Sequence, residues 1–307
     1  MSKEQTPKYK VWLSAARLRT LPLSVSGILV GTAVAISEKS FDVLVFILAL
    51  LTTIAFQVLS NFANDYGDGV KGTDNEDRIG PQRALQSGAL SRAELKKGIL
   101  MMILISLLLA GFLIFVAFGV SHWPYAMLFV LLGLAAVGAA VKYTVGQNAY
   151  GYKGLGDLFV FLFFGGLAVL GTYFLYTMKF SASLMLPAAA IGFLSTGVLN
   201  LNNMRDRLSD QKAGKNTLAV KLGENTSKIY HAFLMLSPLL AMVWFAYLNH
   251  YSPVQLLFLL AFLPILKHLK FVLSNKEPQK FDPELKKLAL STFLLAVLFF
   301  ATQWIRS

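Results

Sequence analysis

The residues best suited to chemistry fall at Asn61 to Arg83, where an apolar run of membrane-spanning length ends and Asp65, Asp68, Asp74, Glu76 and Asp77 follow in short succession. Such carboxylates repel one another unless cations hold them, and Lys71, Arg78 and Arg83 stand among them. This mixture suits a metal-bridged phosphate better than a metal alone. Carboxylate oxygens would hold Mg²⁺, the ion would bridge to phosphate oxygens, and the Lys and Arg side chains would take up the remaining negative charge. An EF-hand does not fit, because that loop needs acids at alternate positions and a closing Glu. A merely solvated loop is the plain alternative. It is disfavoured because Asn64 and Asp65 lie at the very end of the apolar run.

A second stretch of similar design follows four helices later, at residues 198–217, VLNLNNMRDRLSDQKAGKNT. Asn203 precedes Asp206 and Asp210, which stand four apart and share one face if the helix continues. Arg205, Arg207, Lys212 and Lys215 surround them. The GKNT end is not a nucleotide-binding loop, since Ser209 stands where that pattern requires glycine. Between the two stretches, residues 142–157 read KYTVGQNAYGYKGLGD, with three tyrosines, two lysines and an Asp among glycines. Glycines allow close backbone approach to a ligand, and tyrosines offer flat surfaces. A flexible connection is the competing reading.

The elements that must position these residues are membrane helices. The 307-residue chain is 56% hydrophobic and 14% charged, too apolar for an ordinary soluble domain. Charge-free runs occur at 21–37, 43–64, 98–121, 123–141, 158–178, 180–204, 232–249, 251–266 and 288–305. Each approaches or exceeds the roughly 17–25 residues that a helix needs to cross the hydrocarbon core. The expectation is an all-α, polytopic protein with nine transmembrane helices and one domain over 1–307. Residues 9–20 read as a short interfacial helix, with Arg19 able to reach a phosphate, and no cleavable signal peptide is expected.

With the N-terminus inside, 25 of the 28 Lys and Arg residues fall on one side, and only Lys39, Lys179 and Arg306 on the other. This positive-inside pattern places both acidic stretches at the cytoplasmic face and accounts for the net charge of +12 without nucleic acid. The absence of Cys removes thiolate metal sites and thiol nucleophiles. The four histidines have no partner at ligand spacing along the chain, and the lysines of 267–287 are explained by topology and anionic lipid.

With these motifs assembled, nearly the whole chain resembles the UbiA superfamily of intramembrane aromatic prenyltransferases. The first superfamily pattern corresponds to Asn64, Asp65, Asp68, Asp74, Arg83 and Ser87-Gly88, the second to Asp206, Asp210, Lys215 and Thr217. One departure stands out. Asp74 follows Asp68 by six residues where hydroxybenzoate-type relatives have four, and Gly72 occupies the expected place. The DRIGPQR turn at 77–83 and GYKGLGDLFVFLFFG at 151–165 resemble the naphthoate branch.

The resemblance implies nine helices around a central cavity in a bacterial cytoplasmic (inner) membrane, with Mg²⁺ held by Asn64, Asp65, Asp68 and Asp74 on one side and Asp206 and Asp210 on the other. It implies transfer from a polyprenyl diphosphate to 1,4-dihydroxy-2-naphthoate with loss of CO₂, in menaquinone synthesis, inside the lipid bilayer that holds donor tail and product. Asp68, Asp206 and Asp157 are the expected catalytic carboxylates. Lys71, Arg83, Arg205 and Lys215 are diphosphate candidates, while Tyr143, Lys153 and Asp157 are candidates for holding the acceptor. Another acceptor, hydroxybenzoate or homogentisate, is the alternative within the superfamily. A transporter is the alternative outside it, disfavoured because the charge-free runs carry no ionisable residue at mid-membrane.

Overall fold

The computed structural model describes residues 7–76 and 78–305; Asp77 and Arg306, invoked above, lie outside the described residues. Among these the chain forms helices and turns without strands, and nine helices are long and apolar enough to cross a membrane. A short helix α1 (Lys8–Ala16) leads into α2 (Leu21–Ser37). The other spans are α3 (Val43–Lys71), α4 (Arg92–Phe118), α5 (Trp123–Lys142), α6 (Gly156–Thr177), α7 (Ala182–Arg205), α8 (Leu218–Leu248), α9 (Gln255–Ser274) and α10 (Pro278–Trp304).

Local chemistry sets these boundaries. Asp42 caps α3 by accepting from the amides of Leu44 and Val45, and Ser91 with Glu94 forms the capping box that opens α4. Thr217 caps α8 through the Val220 amide. Pro22 and Pro124 sit in the first turns of α2 and α5, where a missing N–H costs nothing. Several helices outrun their charge-free stretches. In α3 the helix continues seven residues past Asn64, so that Asn64, Asp65 and Asp68 are helical rather than the start of a loop.

Helices α2, α6, α7, α8, α9 and α10 share the largest apolar core, built on residues such as Val30, Val169, Leu194, Met235, Phe258 and Phe299. α1 docks on the site end of α3: Trp12 packs on Phe62 with ring centroids 5.2 Å apart, and Asn61 Nδ2 donates to the Ala16 carbonyl at 2.8 Å. α10 returns to pack against α2, closing the bundle. α5 stands apart from this density. It packs on α3 and α4, and none of its residues is buried. α6 carries a π-helical stretch, Phe161–Gly171, a form found mostly as short bulges near functional sites.

Candidate active site

Two cavities lie between the helices and meet. One, of ≈ 340 Å³, is apolar and is walled by residues of α2, α3, α4, α5 and the π stretch of α6, Phe129, Phe163 and Phe164 among them. The other, of ≈ 200 Å³, is charged, and gathers Asn64, Asp68, Asp74, Arg83, Tyr143, Asp206, Asp210 and Lys215 from the two acidic stretches and the α5 end. Gln57, Asn64, Tyr143, Val160, Phe164 and Leu199 line both.

The two stretches exchange cations. Lys215, from the second, donates to Asp68 Oδ2 at 3.2 Å and lies 3.9 Å from Asp210 Oδ1. Arg78, from the first, holds Asp74 at 2.9 Å and approaches Asp206 at 3.9 Å. Tyr152 adds a clasp: its hydroxyl bonds Asp68 Oδ1 at 2.8 Å and Thr73 Oγ1 at 2.5 Å, while its carbonyl accepts from the Asn216 amide at 3.1 Å. Close approach needs small residues here. A Cβ on Gly67 would stand 2.4 Å from Thr144 Oγ1, and one on Gly80 only 2.6 Å from a guanidinium nitrogen of Arg205.

The six-residue spacing to Asp74 has a local cause. α3 ends at Lys71 with Gly72 as its C-cap at φ 72°, a left-handed conformation that suits glycine. The Thr73 amide returns to the Asp68 carbonyl at 3.0 Å, and the chain turns back, so Asp74 enters the cavity from the loop instead of from the next helical turn. The second motif is also interrupted. α7 stops at Arg205 and a short helix, Arg207–Lys212, begins after Asp206, yet the Asp210 amide bonds the Asp206 carbonyl at 2.8 Å and both carboxylates line the cavity.

Burial dominates the electrostatics. Asp210 is pushed up to about 7 by desolvation, with Asp206 and Asp68 adding to the shift and Lys215 opposing it. Asp74 is raised by burial and by Asp68 against the pull of Arg78 and Arg83. Burial disfavours the charge on Lys215, but Asp68 and Asp210 outweigh it and hold the ammonium protonated well above the usual range.

Several expected site residues lie elsewhere. Asp65 faces away from this cavity and accepts the amides of Ala84 and Leu85 at 3.1 and 3.4 Å, fixing the loop. Arg205 is fully buried and committed: it grips both carboxylate oxygens of Asp206 at 2.9 and 2.6 Å, and pairs with Asp282 and Asn202, which leaves no fork for a diphosphate. Lys71 is exposed, its ammonium 3.8 Å above the Tyr152 ring. Lys153 is exposed too and donates to Asn148 at 3.1 Å, because the Tyr150–Lys153 turn points it outward. Asp157 is buried against Tyr230 of α8 and lines neither cavity.

Other residues arrive without a local signal. Arg17, Asn202, Ser209 and Lys286 line the charged cavity, beside Arg19 and Arg78, which the sequence already set near a phosphate or among the acids. The histidines of α8 and α9, read as partnerless, are joined across helices: His231 and His268 are 3.0 Å apart and His268 meets Glu284 of α10 at 2.7 Å. Their separations of 37 and 16 residues leave no pattern along the chain.

The donor set fits a hard divalent ion. The oxygens are carboxylates, Asp74 Oδ2 lacks a hydrogen-bond partner, and burial together with the neighbouring Asp206 and Asp68 disfavours the charge on Asp210, which a cation would restore. Among the described residues no three acids or histidines converge as around one ion. Mg²⁺ is commonly held by one or two carboxylates, with substrate phosphate and water completing its shell.

Comparison with known proteins identifies the chain's relatives. Residues 24–290 match the UbiA prenyltransferase family. The chain is 44% identical over 294 residues, covering 95% of both chains, to the 1,4-dihydroxy-2-naphthoate octaprenyltransferase of Haemophilus influenzae. It is 42% identical over 308 residues, 99% of both chains, to the protein of the same name from Escherichia coli. A UbiA homolog from Archaeoglobus fulgidus, solved bound to GPP and Mg²⁺, shares the fold with a TM-score of 0.68 over 96% of this chain and 99% of that one, at 16% identity.

Proposed function

Since the chain belongs to the UbiA prenyltransferase family, we propose that it transfers a polyprenyl group from a polyprenyl diphosphate to 1,4-dihydroxy-2-naphthoate, with loss of CO₂, as a step of menaquinone synthesis. The observation that carries the reading is the junction of a charged cavity and an apolar one at Asn64 and Tyr143. A diphosphate and a prenyl chain require such opposite surroundings within one molecule's length. The naphthoate acceptor is supported by the near full-length identity to two enzymes named for it.

Asn64, Asp68, Asp74, Asp206 and Asp210 would hold Mg²⁺, which when bound offsets the negative charge that grows on the diphosphate as its bond to carbon breaks. Six Arg and Lys side chains line the cavity against four Asp, a surplus that a polyanion arriving with a cation would meet. Lys215 and Arg83, which line this cavity, would donate to phosphate oxygens. The aromatic and aliphatic walls of the second cavity keep water from the allylic carbon, so that the electron-rich ring is the nucleophile that meets it. Tyr143, at the junction, is the candidate for orienting that ring. The carbon alkylated carries the carboxylate, whose departure as CO₂ restores aromaticity. We place the protein in the bacterial inner membrane as one catalytic domain, with the charged cavity facing the cytoplasm, on the asymmetry of its Lys and Arg.

The test is incubation of membranes with Mg²⁺, a polyprenyl diphosphate and 1,4-dihydroxy-2-naphthoate, measuring prenylated product and CO₂ together. Equal amounts of the two are expected, lost with EDTA and restored by Mg²⁺. Prenylation of hydroxybenzoate or homogentisate in preference would overturn the acceptor assignment.

A further inference from the structure

A second charged cavity, of ≈ 490 Å³, lies under α1, lined by Lys10, Ser14, Arg17, Arg19, Gln82 and Arg83, with Asp65 also in its wall. Its balance of charge is one-sided. Four cations face a single acid, and that acid is already occupied by the amides of Ala84 and Leu85. Among the described residues Lys10, Arg17 and Arg19 form no salt bridge within 4 Å, and Arg83 reaches only Asp74, at 4.0 Å, with its Nε buried and without a hydrogen-bond partner. Cations in such excess over acid, gathered around a cavity of small-ligand size, suit an anion.

Three of the four cations, Arg17, Arg19 and Arg83, also line the charged reaction cavity. A guanidinium wall is therefore shared by both cavities. The backbone holds it in place: α1 ends at Arg17 in the left-handed region, φ 50° and ψ 57°, with its amide returned to the Ser14 carbonyl at 3.1 Å. A non-glycine residue adopts that conformation at a cost, and such strain is kept where surrounding structure demands it. The far side of the cavity meets the surface, since Lys10, Ser14, Arg19 and Gln82 are exposed.

We propose that this cavity is a second anion site, which receives inorganic diphosphate from the reaction cavity and delivers it to the aqueous surface. The proposal rests on the prenyl diphosphate reading given above. When the bond between C1 and oxygen breaks, the oxygen keeps the electron pair and inorganic diphosphate is left beside buried carboxylates, with an apolar cavity behind it. A route lined by guanidiniums is a direction in which the anion keeps its partners. Each guanidinium has five donors in a planar fork, enough to bond phosphate oxygens from either side. The phosphate of an anionic lipid headgroup has the same chemistry and also lies near an interfacial helix. The arginines shared with the reaction cavity favour diphosphate.

Lys10 and Gln82 line only the second cavity and are exposed, so Lys10→Glu with Gln82→Glu tests the site without touching the reaction cavity. In phosphatidylcholine nanodiscs, equilibrium dialysis of labelled inorganic diphosphate should give two ions per wild-type chain and one per variant chain. The variant's inhibition constant for added diphosphate should rise about tenfold, as expected for losing a charge-assisted contact, while KM for the prenyl donor stays within twofold. The count of two should persist in phosphatidylglycerol nanodiscs. Loss of the second ion there would make the lipid headgroup the occupant and overturn the proposal, as would an unchanged count and inhibition constant in the variant. One bound ion in an active wild type sinks this proposal alone. No bound ion and no prenyl transfer sinks the reading of the reaction cavity with it.

Discussion

Lys215→Met separates two jobs that the same ammonium performs. Lys215 is largely shielded from water, with 12% of its side chain exposed, and it donates to Asp68 at 3.2 Å beside Asp210 at 3.9 Å. A hydrogen bond between charged partners contributes roughly 1.5–3 kcal/mol, and Mg²⁺ has to displace or share it to reach Asp68. Methionine fills a similar volume and removes the competitor. Mg²⁺ should then bind more tightly in the absence of donor, by about 10-fold or more, as measured by equilibrium dialysis. The donor loses a cationic partner for its diphosphate, so kcat/KM for polyprenyl diphosphate should fall by about 10- to 150-fold, the same free energy converted at 1.4 kcal/mol per decade. The two parameters move in opposite directions. Metal affinity that is unchanged or weakened in the variant would refute the idea that Lys215 stands in for the metal among these acids. So would an undiminished kcat/KM.

Asp210 sets a pH dependence. Its folded carboxyl titrates at about 7 against an ordinary 3.8, so between those values the folded chain holds the extra proton, and metal-free stability falls as pH rises through that window. Mg²⁺ affinity should rise over the same window, and Asp210→Asn should flatten both profiles in a thermal-shift titration. Lys153→Met should leave the KM for 1,4-dihydroxy-2-naphthoate within twofold, since the side chain is exposed and turned to Asn148; a tenfold rise would return Lys153 to the acceptor site. Gly67→Leu places a side chain where Cβ alone would stand 2.4 Å from Thr144 Oγ1, so it should lower the Tm by several degrees and raise the KM for the donor as α3 and the 143–144 turn separate.

Much of the architecture was legible in one dimension because a bilayer imposes one-dimensional rules. A span must be apolar over a fixed length, and the nine charge-free runs reappear as nine helices among the described residues. The capping box at Ser91 and Glu94 was equally visible, since its partners are three residues apart. Asp65, Asp68, Asp74, Asp206 and Asp210 could be singled out because they stand at the ends of apolar runs among basic residues, at positions that match the two UbiA motifs. Which cation answers each of them was decided by tertiary structure. Asp65 turned to the Ala84 and Leu85 amides, and Arg205 closed on Asp206 and Asp282. Lys153 swung outward, while Arg17 and Lys286 came in from distant segments. A helix rotates each successive residue by about a quarter turn, so neighbours of one composition face different surroundings. Composition established that acids and bases must pair at this membrane face; only the packing of α1, α3, α7 and α10 against one another settled the partners, because an ion pair is chosen by distances of a few ångströms between residues as many as 147 positions apart.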